Sequence, residues 1–396
     1  MDVITGSATD AKLPFDQDRL DRLMDEAGID VLVATGKHTV QYLLGGYRYI
    51  VFHSMDPIGH SRYLPIVIYQ KATPERAAYI GNAMETHEHE VNPFWTPEVH
   101  LKSWGTEDAA AQAAGHLKAL GLARARIGVE PSFLPYDALQ ILQQELGSPT
   151  LVNATPMLER MRAVKTPQEL HNLRRASELV TDSMLAVVAS HGEGATKAEM
   201  MEALRREETN RGLHFEYALV TMGTSHNRAA SDQAWRKGDP MSIDSGGNYH
   251  GYTGDICRMA VLGEPDAELQ DLLAELENVQ QAAFTGIRAG VLGAELISRG
   301  DAALEKSPIA PHTDFFAHGM GLVFHEAPFL VTNRPMPYEG ADAERPLEAG
   351  MVISVETTMK HPRRGFIKLE DTVAVTADGY DMYGTRGRGW NIAATG

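Results

Sequence analysis

Apolar positions recur every three to four residues through FDQDRLDRLMDEAG (15–28), the period of a helix with one buried face. They then close up into an unbroken run in DVLVAT (30–35), which predicts a buried strand. The same alternation returns in ARIGVEP (125–131), read as a strand, and YDALQILQQELG (136–147), read as a helix, so the first half predicts a small α/β domain. In MLERMRAVKTPQELHNLRRASELVTDSMLAVVASH (157–191), Thr166-Pro167 is a strong helix start, because proline is preorganised for the first helical position. Helical spacing then continues for several turns. That stretch predicts the seam, with domains at 1–164 and 165–396. Beyond it the pattern predicts a second helix in TKAEMMEALRREETNRG (196–212), a helical pair between Asp266 and Lys306, and several strands rich in β-branched residues. METHEHE (84–90) predicts a solvated loop, since its His and Glu spacing matches no tight ligand geometry.

The strands of the second half carry acids where a core strand should carry none. In PMSIDSGGNYHGYTGDICRMAVLG (240–263) two runs flank a Gly-rich turn. This predicts a hairpin that sets Asp244 and Asp255 on neighbouring strands about 4.8 Å apart. A solvent-facing hairpin with two incidental acids is the plainer alternative. GGNYHG lacks the G-x-G-x-x-G spacing of a nucleotide loop, and no helix follows it. In HGMGLVFHEAP (318–328), glycines beside His318 allow backbone to approach a crowded centre, and His325 follows seven residues later. One histidine as ligand and one as catalytic group is the economical assignment, a satisfied core histidine the bland one. GMVISVETTM (350–359) and GFIKLEDTVAVT (365–376) place Glu356 and Glu370 inside core-like strands, where a buried acid is costly unless paired or metal-bound. Asp244, Asp255, His318, Glu356 and Glu370 converging on one point would repel strongly without cations between them. Two divalent ions balance four carboxylates and leave room for a bridging hydroxide. A carboxylate-rich set with one histidine suits manganese first, with cobalt, zinc or iron as alternatives, and Cys257 stands alone.

Composition narrows the rest. The 396 residues exceed what one core usually holds, and 43% apolar residues suffice for two. A net charge of −17 with no Lys/Arg block argues against nucleic acid and anionic membranes, leaving small-molecule or short-peptide chemistry. The N-terminus shows no signal-peptide pattern and no run approaches about 20 apolar residues. With a single cysteine, this predicts a cytoplasmic protein.

The order and setting of the five ligands resemble those of the pita-bread metallopeptidase family, which includes methionine aminopeptidase, Xaa-Pro aminopeptidase, prolidase and the metal-free creatinase. VQYLLGGY (40–47) resembles the N-terminal signature of the prolidase and creatinase branch, and RAVKTPQEL (162–170) its interdomain helix. The resemblance implies an N-terminal creatinase-like α/β domain and a C-terminal pita-bread α/β domain with a curved antiparallel sheet, usually a homodimer. It also implies that Asp244 binds one metal and that His318 and Glu356 bind the other. Asp255 and Glu370 would bridge, with a shared hydroxide between two ions. Glu356 would also take a proton, His325 would steady the oxyanion or leaving group, and His226 would match a further upstream histidine. Two departures stand out, Thr357 where peptidases commonly carry proline and Lys368 where arginine is common. Both are expected on the pocket wall rather than at the metals.

Arg48, His53, His60 and Arg62 in YRYIVFHSMDPIGHSRYLP (47–65), and Arg334, are candidates to meet a substrate carboxylate; a salt-bridge network is the alternative. Three functions remain open. The first is an Xaa-Pro dipeptidase or aminopeptidase. The second is a hydrolase of a small non-peptide C–N bond, as in creatinase-like or ectoine-hydrolase-like relatives, or a lyase on the same scaffold. The third is a non-enzymatic binding protein, disfavoured because no ligand is missing.

Overall fold

A computed structural model of the chain describes residues 13–56, 58–331 and 340–393. It divides into two compact units, Met1–Arg162 and Ala163–Gly396.

In the first unit, α1 (Gln17–Ala27) opens on Asp16, whose side chain caps Arg19 N, and closes on Gly28 in the left-handed region that glycine adopts freely. The strands β1 (Val31–Ala34), β2 (Ile66–Gln70), β3 (Ala78–Asn82), β4 (Glu98–Ser103), β5 (Arg126–Val129) and β6 (Thr150–Asn153) form one mixed sheet in the order β4-β3-β2-β1-β5-β6. Helices α2 (Lys37–Leu43), α3 (Thr86–Val91), α4 (Thr106–Ala119), α5 (Tyr136–Leu146) and α6 (Thr155–Ala163) are interleaved with the strands. The alanine face of α4 and the leucines of α5 pack on the valines and isoleucines of the sheet. The expected solvated loop at 84–90 is instead a helical turn running into α3. Its Glu85 is buried, with the hydroxyls of Tyr63 and Tyr79 each donating to it at 2.6 Å. Burial pushes this carboxyl above its usual range, although the two hydroxyls oppose the shift.

The second unit begins with α7 (Pro167–Ser190), whose start is the predicted one. Thr166 and Glu169 form a capping box around Pro167. Then come α8 (Lys197–Asn210), β7 (His214–Met222), β8 (Pro240–Tyr249), β9 (Tyr252–Leu262), α9 (Ala267–Phe284), α10 (Gly293–Leu304), β10 (Thr313–Gly319), β11 (Val352–His361), β12 (Gly365–Val375), β13 (Tyr380–Tyr383) and β14 (Asn391–Ala393). The sheet runs β10-β11-β12-β9-β8-β7 with antiparallel neighbours; β13 adds to β12, and β14 joins β9 in parallel. Apolar residues of one sheet face pack on the helices: Ile243 and Ile256 with Val180 and Met184 of α7, Ile353 and Val355 with Val279 and Phe284 of α9. Because strand residues alternate between faces, the residues next to these project to the opposite side. Among the described residues, no helix is long and apolar enough to cross a membrane.

Candidate metal centre

The register of the sheet brings the predicted ligands together. Asp244 lies opposite Cys257, and Asp255, two residues before Cys257, lies opposite Gly246. Cys257 also faces Glu370, Glu370 faces Glu356, and His318 faces Ser354, two residues from Glu356. Paired residues share a face and so do residues two apart, so all five side chains leave the sheet on the side away from the helices. Gly246 keeps that face open, since a Cβ there would fall 2.5 Å from the Phe324 ring and collide with Tyr217. The five line a cavity of about 780 Å³ together with His325, His226, Tyr217, Arg228 and Lys368, a volume suited to a small ligand.

A divalent ion fits one side of this cluster. One ligand atom each from Asp255, His318 and Glu370 lies within 4.8 Å of the others, and all three residues are buried. His318 Nδ1 lies 3.2 Å from the Gly319 carbonyl, and in the tautomer that donates to this carbonyl Nε2 presents its lone pair to the carboxylates. Among the described residues Nε2 is buried without a hydrogen-bond partner and lies 3.7 Å from Glu370 Oε1, a position that suits a metal ligand.

The other side is already charged. Lys368 Nζ lies 2.7 Å from Asp244 Oδ2, 2.6 Å from Glu356 Oε2 and 2.8 Å from Glu370 Oε2. Arg228 also binds Asp244, and the Tyr217 hydroxyl reaches both Asp255 and Asp244. Burial disfavours the Lys368 ammonium, but its carboxylate neighbours overcome this and hold its pKa well above the ordinary lysine range. Burial, then repulsion from Glu370 and Asp244, pushes the Asp255 carboxyl well above the usual carboxylate range. His325 stacks flat on His318 at 3.9 Å, and burial with the His318 contact lowers its pKa to about 4, so it is a neutral imidazole at neutral pH.

Several expectations change. Lys368 lines the pocket as expected but also lies among the ligands, because it precedes Glu370 by two residues on the same strand. Thr357 is not pocket wall. As the neighbour of Glu356 it takes the reverse face, fully buried opposite Phe315 and Leu369. His226 lines the cavity, but its Nε2 is 3.3 Å from the His361 carbonyl. His53 is exposed and bonded to Arg48, and Arg62 is paired with Asp56. Arg334 lies outside the described residues. Arg228 and Tyr217 escaped the sequence reading. For Tyr217 the signal was present, since it sits opposite Gly246 on the ligand-bearing face.

Comparison with known proteins agrees with this arrangement. Residues 17–164 match the creatinase/prolidase N-terminal domain, and residues 171–377 match metallopeptidase family M24. The probable dipeptidase PepE of Mycobacterium tuberculosis is 31% identical over 235 residues, which is 58% of this chain and 60% of that protein. The chain thus aligns with well under the full length of that relative. The Xaa-Pro dipeptidase of Pyrococcus horikoshii is 26% identical over 64% of this chain and 71% of its own length. Among solved structures, an Xaa-Pro dipeptidase from Bacillus anthracis superposes with a TM-score of 0.79 at 22% identity, covering 95% of this chain and 98% of that one, which establishes the shared fold. With more than half of its length matched by the family model, the chain belongs to metallopeptidase family M24.

Proposed function

We propose that this chain is a divalent-metal-dependent peptidase acting on Xaa-Pro dipeptides or short peptides. The observation that carries the reading is the buried trio Asp255, His318 and Glu370, with the His318 Nε2 lone pair aimed into a cavity of dipeptide size. The dipeptidase and Xaa-Pro dipeptidase relatives supply the substrate class.

Asp255, His318 and Glu370 would hold the ion, with Asp244 and Glu356 beside them. When bound, it would acidify a water molecule and polarise the scissile carbonyl. The chain's own groups do the rest. Lys368 clamps Asp244 and Glu356 by charge, so the carboxylates keep their spacing as the substrate enters. Glu356, at the half-buried edge of the cluster, is placed to take a proton from the attacking water and return it to the leaving amine. His325, neutral and held flat against His318, offers an N–H to the developing oxyanion. Lys360 on the cavity lining supplies positive charge for a substrate carboxylate.

The test is a panel of Gly-Pro and Ala-Pro dipeptides against creatine and cyclic amidines, each with added manganese and with chelator. Chelator-sensitive release of proline supports the reading. Turnover of only the non-peptide C–N substrates replaces the peptidase with the alternative hydrolase, and no metal dependence removes both.

A further inference from the structure

Four carboxylates meet on the face of the sheet, but they do not meet empty-handed. The two-ion expectation balanced Asp244, Asp255, Glu356 and Glu370 against metal alone. Lys368 and Arg228 bring two positive charges into contact with the same set, so with all four carboxylates ionised, as metal ligation requires, two negative charges remain, the charge of a single divalent ion. Asp314 and Lys360 on the cavity lining add one charge of each sign and leave that sum unchanged.

Position agrees with charge. The Lys368 ammonium lies within 2.6–2.8 Å of oxygens from Asp244, Glu356 and Glu370, donating to Asp244 and ion-paired with the other two, and its side chain is only 6% exposed. Asp244, the carboxylate that an ion apart from His318 would need, is one that it joins, with Glu356 beside it. The atoms it leaves alone, on Asp255 and His318, belong to the trio whose ligand atoms already converge. A second ion would have to strip three ion pairs from a buried ammonium, and breaking a buried pair is strongly unfavourable. Lysine suits this task because its charge is a compact point on a flexible stem, able to sit where a metal would sit.

We propose that this centre binds one divalent ion, between Asp255, His318 and Glu370, and that the Lys368 ammonium occupies the place of a second. The inference rests on the reading of the cluster as a metal centre. It converts an expected two-ion site into an ion plus a fixed organic cation.

The experiment is metal stoichiometry on the full chain, incubated with excess Mn(II), dialysed and measured by elemental analysis, together with the Mn(II) electron paramagnetic resonance spectrum. The expected result is one manganese per chain with the six-line signal of an isolated ion. Lys368→Met should rise to two per chain with an exchange-coupled signal. Two ions or a coupled spectrum in the unaltered protein overturns the inference while sparing the metal centre, and so does a folded Lys368→Met that stays at one. No bound manganese overturns the metal centre itself. Should Lys368→Met fail to fold, the spectrum of the unaltered protein decides alone.

Discussion

Glu370 and Asp371 are neighbours on one strand, yet they live under opposite electrostatic rules. Asp371 faces the helices, fully buried, with Arg258 at 2.8 Å and Arg388 at 3.1 Å; Arg258 also donates to the carbonyls of Gly384 and Glu370. Arg388 also pairs with Glu277 at 2.8 Å, so the two arginines there are matched by two carboxylates of the protein. Glu370 faces the cavity, where four carboxylates share two cationic side chains and a histidine nitrogen has no hydrogen-bond partner. Strand alternation alone separates the two environments. The difference teaches that a balanced buried network marks architecture, while a deliberate shortfall of charge marks a place for a ligand.

The contrast can be broken from either side. The largest effect belongs to the reverse face. Asp371→Asn leaves Arg258 buried without its counter-ion, and unfolding stability should fall by about 3–5 kcal/mol in chemical denaturation. Any gain in melting temperature on adding manganese should survive in whatever folds. On the cavity face, His318→Ala should abolish that gain, which for a metal at 100 times its Kd is worth about 2.7 kcal/mol. A manganese-induced shift that persists in this variant would move the ion elsewhere.

Smaller changes sharpen the picture. Tyr217→Phe removes the hydroxyl that steadies Asp255 and Asp244, and manganese affinity by titration calorimetry should weaken about 10-fold, the lower end for outer-shell partners. The last effect is read as a slope. Glu208 is buried, among the described residues accepts a side-chain hydrogen bond only from the Ser245 hydroxyl at 2.7 Å, and burial lifts its pKa from 4.5 to about 8. With the folded pKa above the unfolded one, its contribution to stability is complete below about pH 4.5 and is lost as pH rises to about 8. Glu208→Gln should therefore gain stability relative to the parent between pH 5 and pH 8 in urea titrations. Equal slopes for the two proteins would contradict the assignment.

Much of this was legible in the sequence, for physical reasons that can be named. Thr166-Pro167 announced α7 because capping chemistry is local. The acids of β8, β9, β11 and β12 stood out because a carboxylate in a β-branched strand needs a reason to be there. Lys368 was misjudged because a lysine in a strand usually marks the wet face. Its two-residue spacing from Glu370 nevertheless placed it among the ligands, and the same rule turns Thr357 away from them. Arg228 follows β7 in an irregular stretch with no period to read, so only tertiary structure brings it to Asp244. Glu85 was hidden for the converse reason. A run of His and Glu reads as solvated, but two tyrosines from β3 and the segment before β2 reach over to bury it.

The most direct test of the account is a manganese-soaked crystal analysed by anomalous scattering. It should show one strong peak bounded by Asp255, His318 and Glu370, with Lys368 still joined to Asp244 and Glu356. A chain with no peak among those three residues at saturating manganese would contradict it.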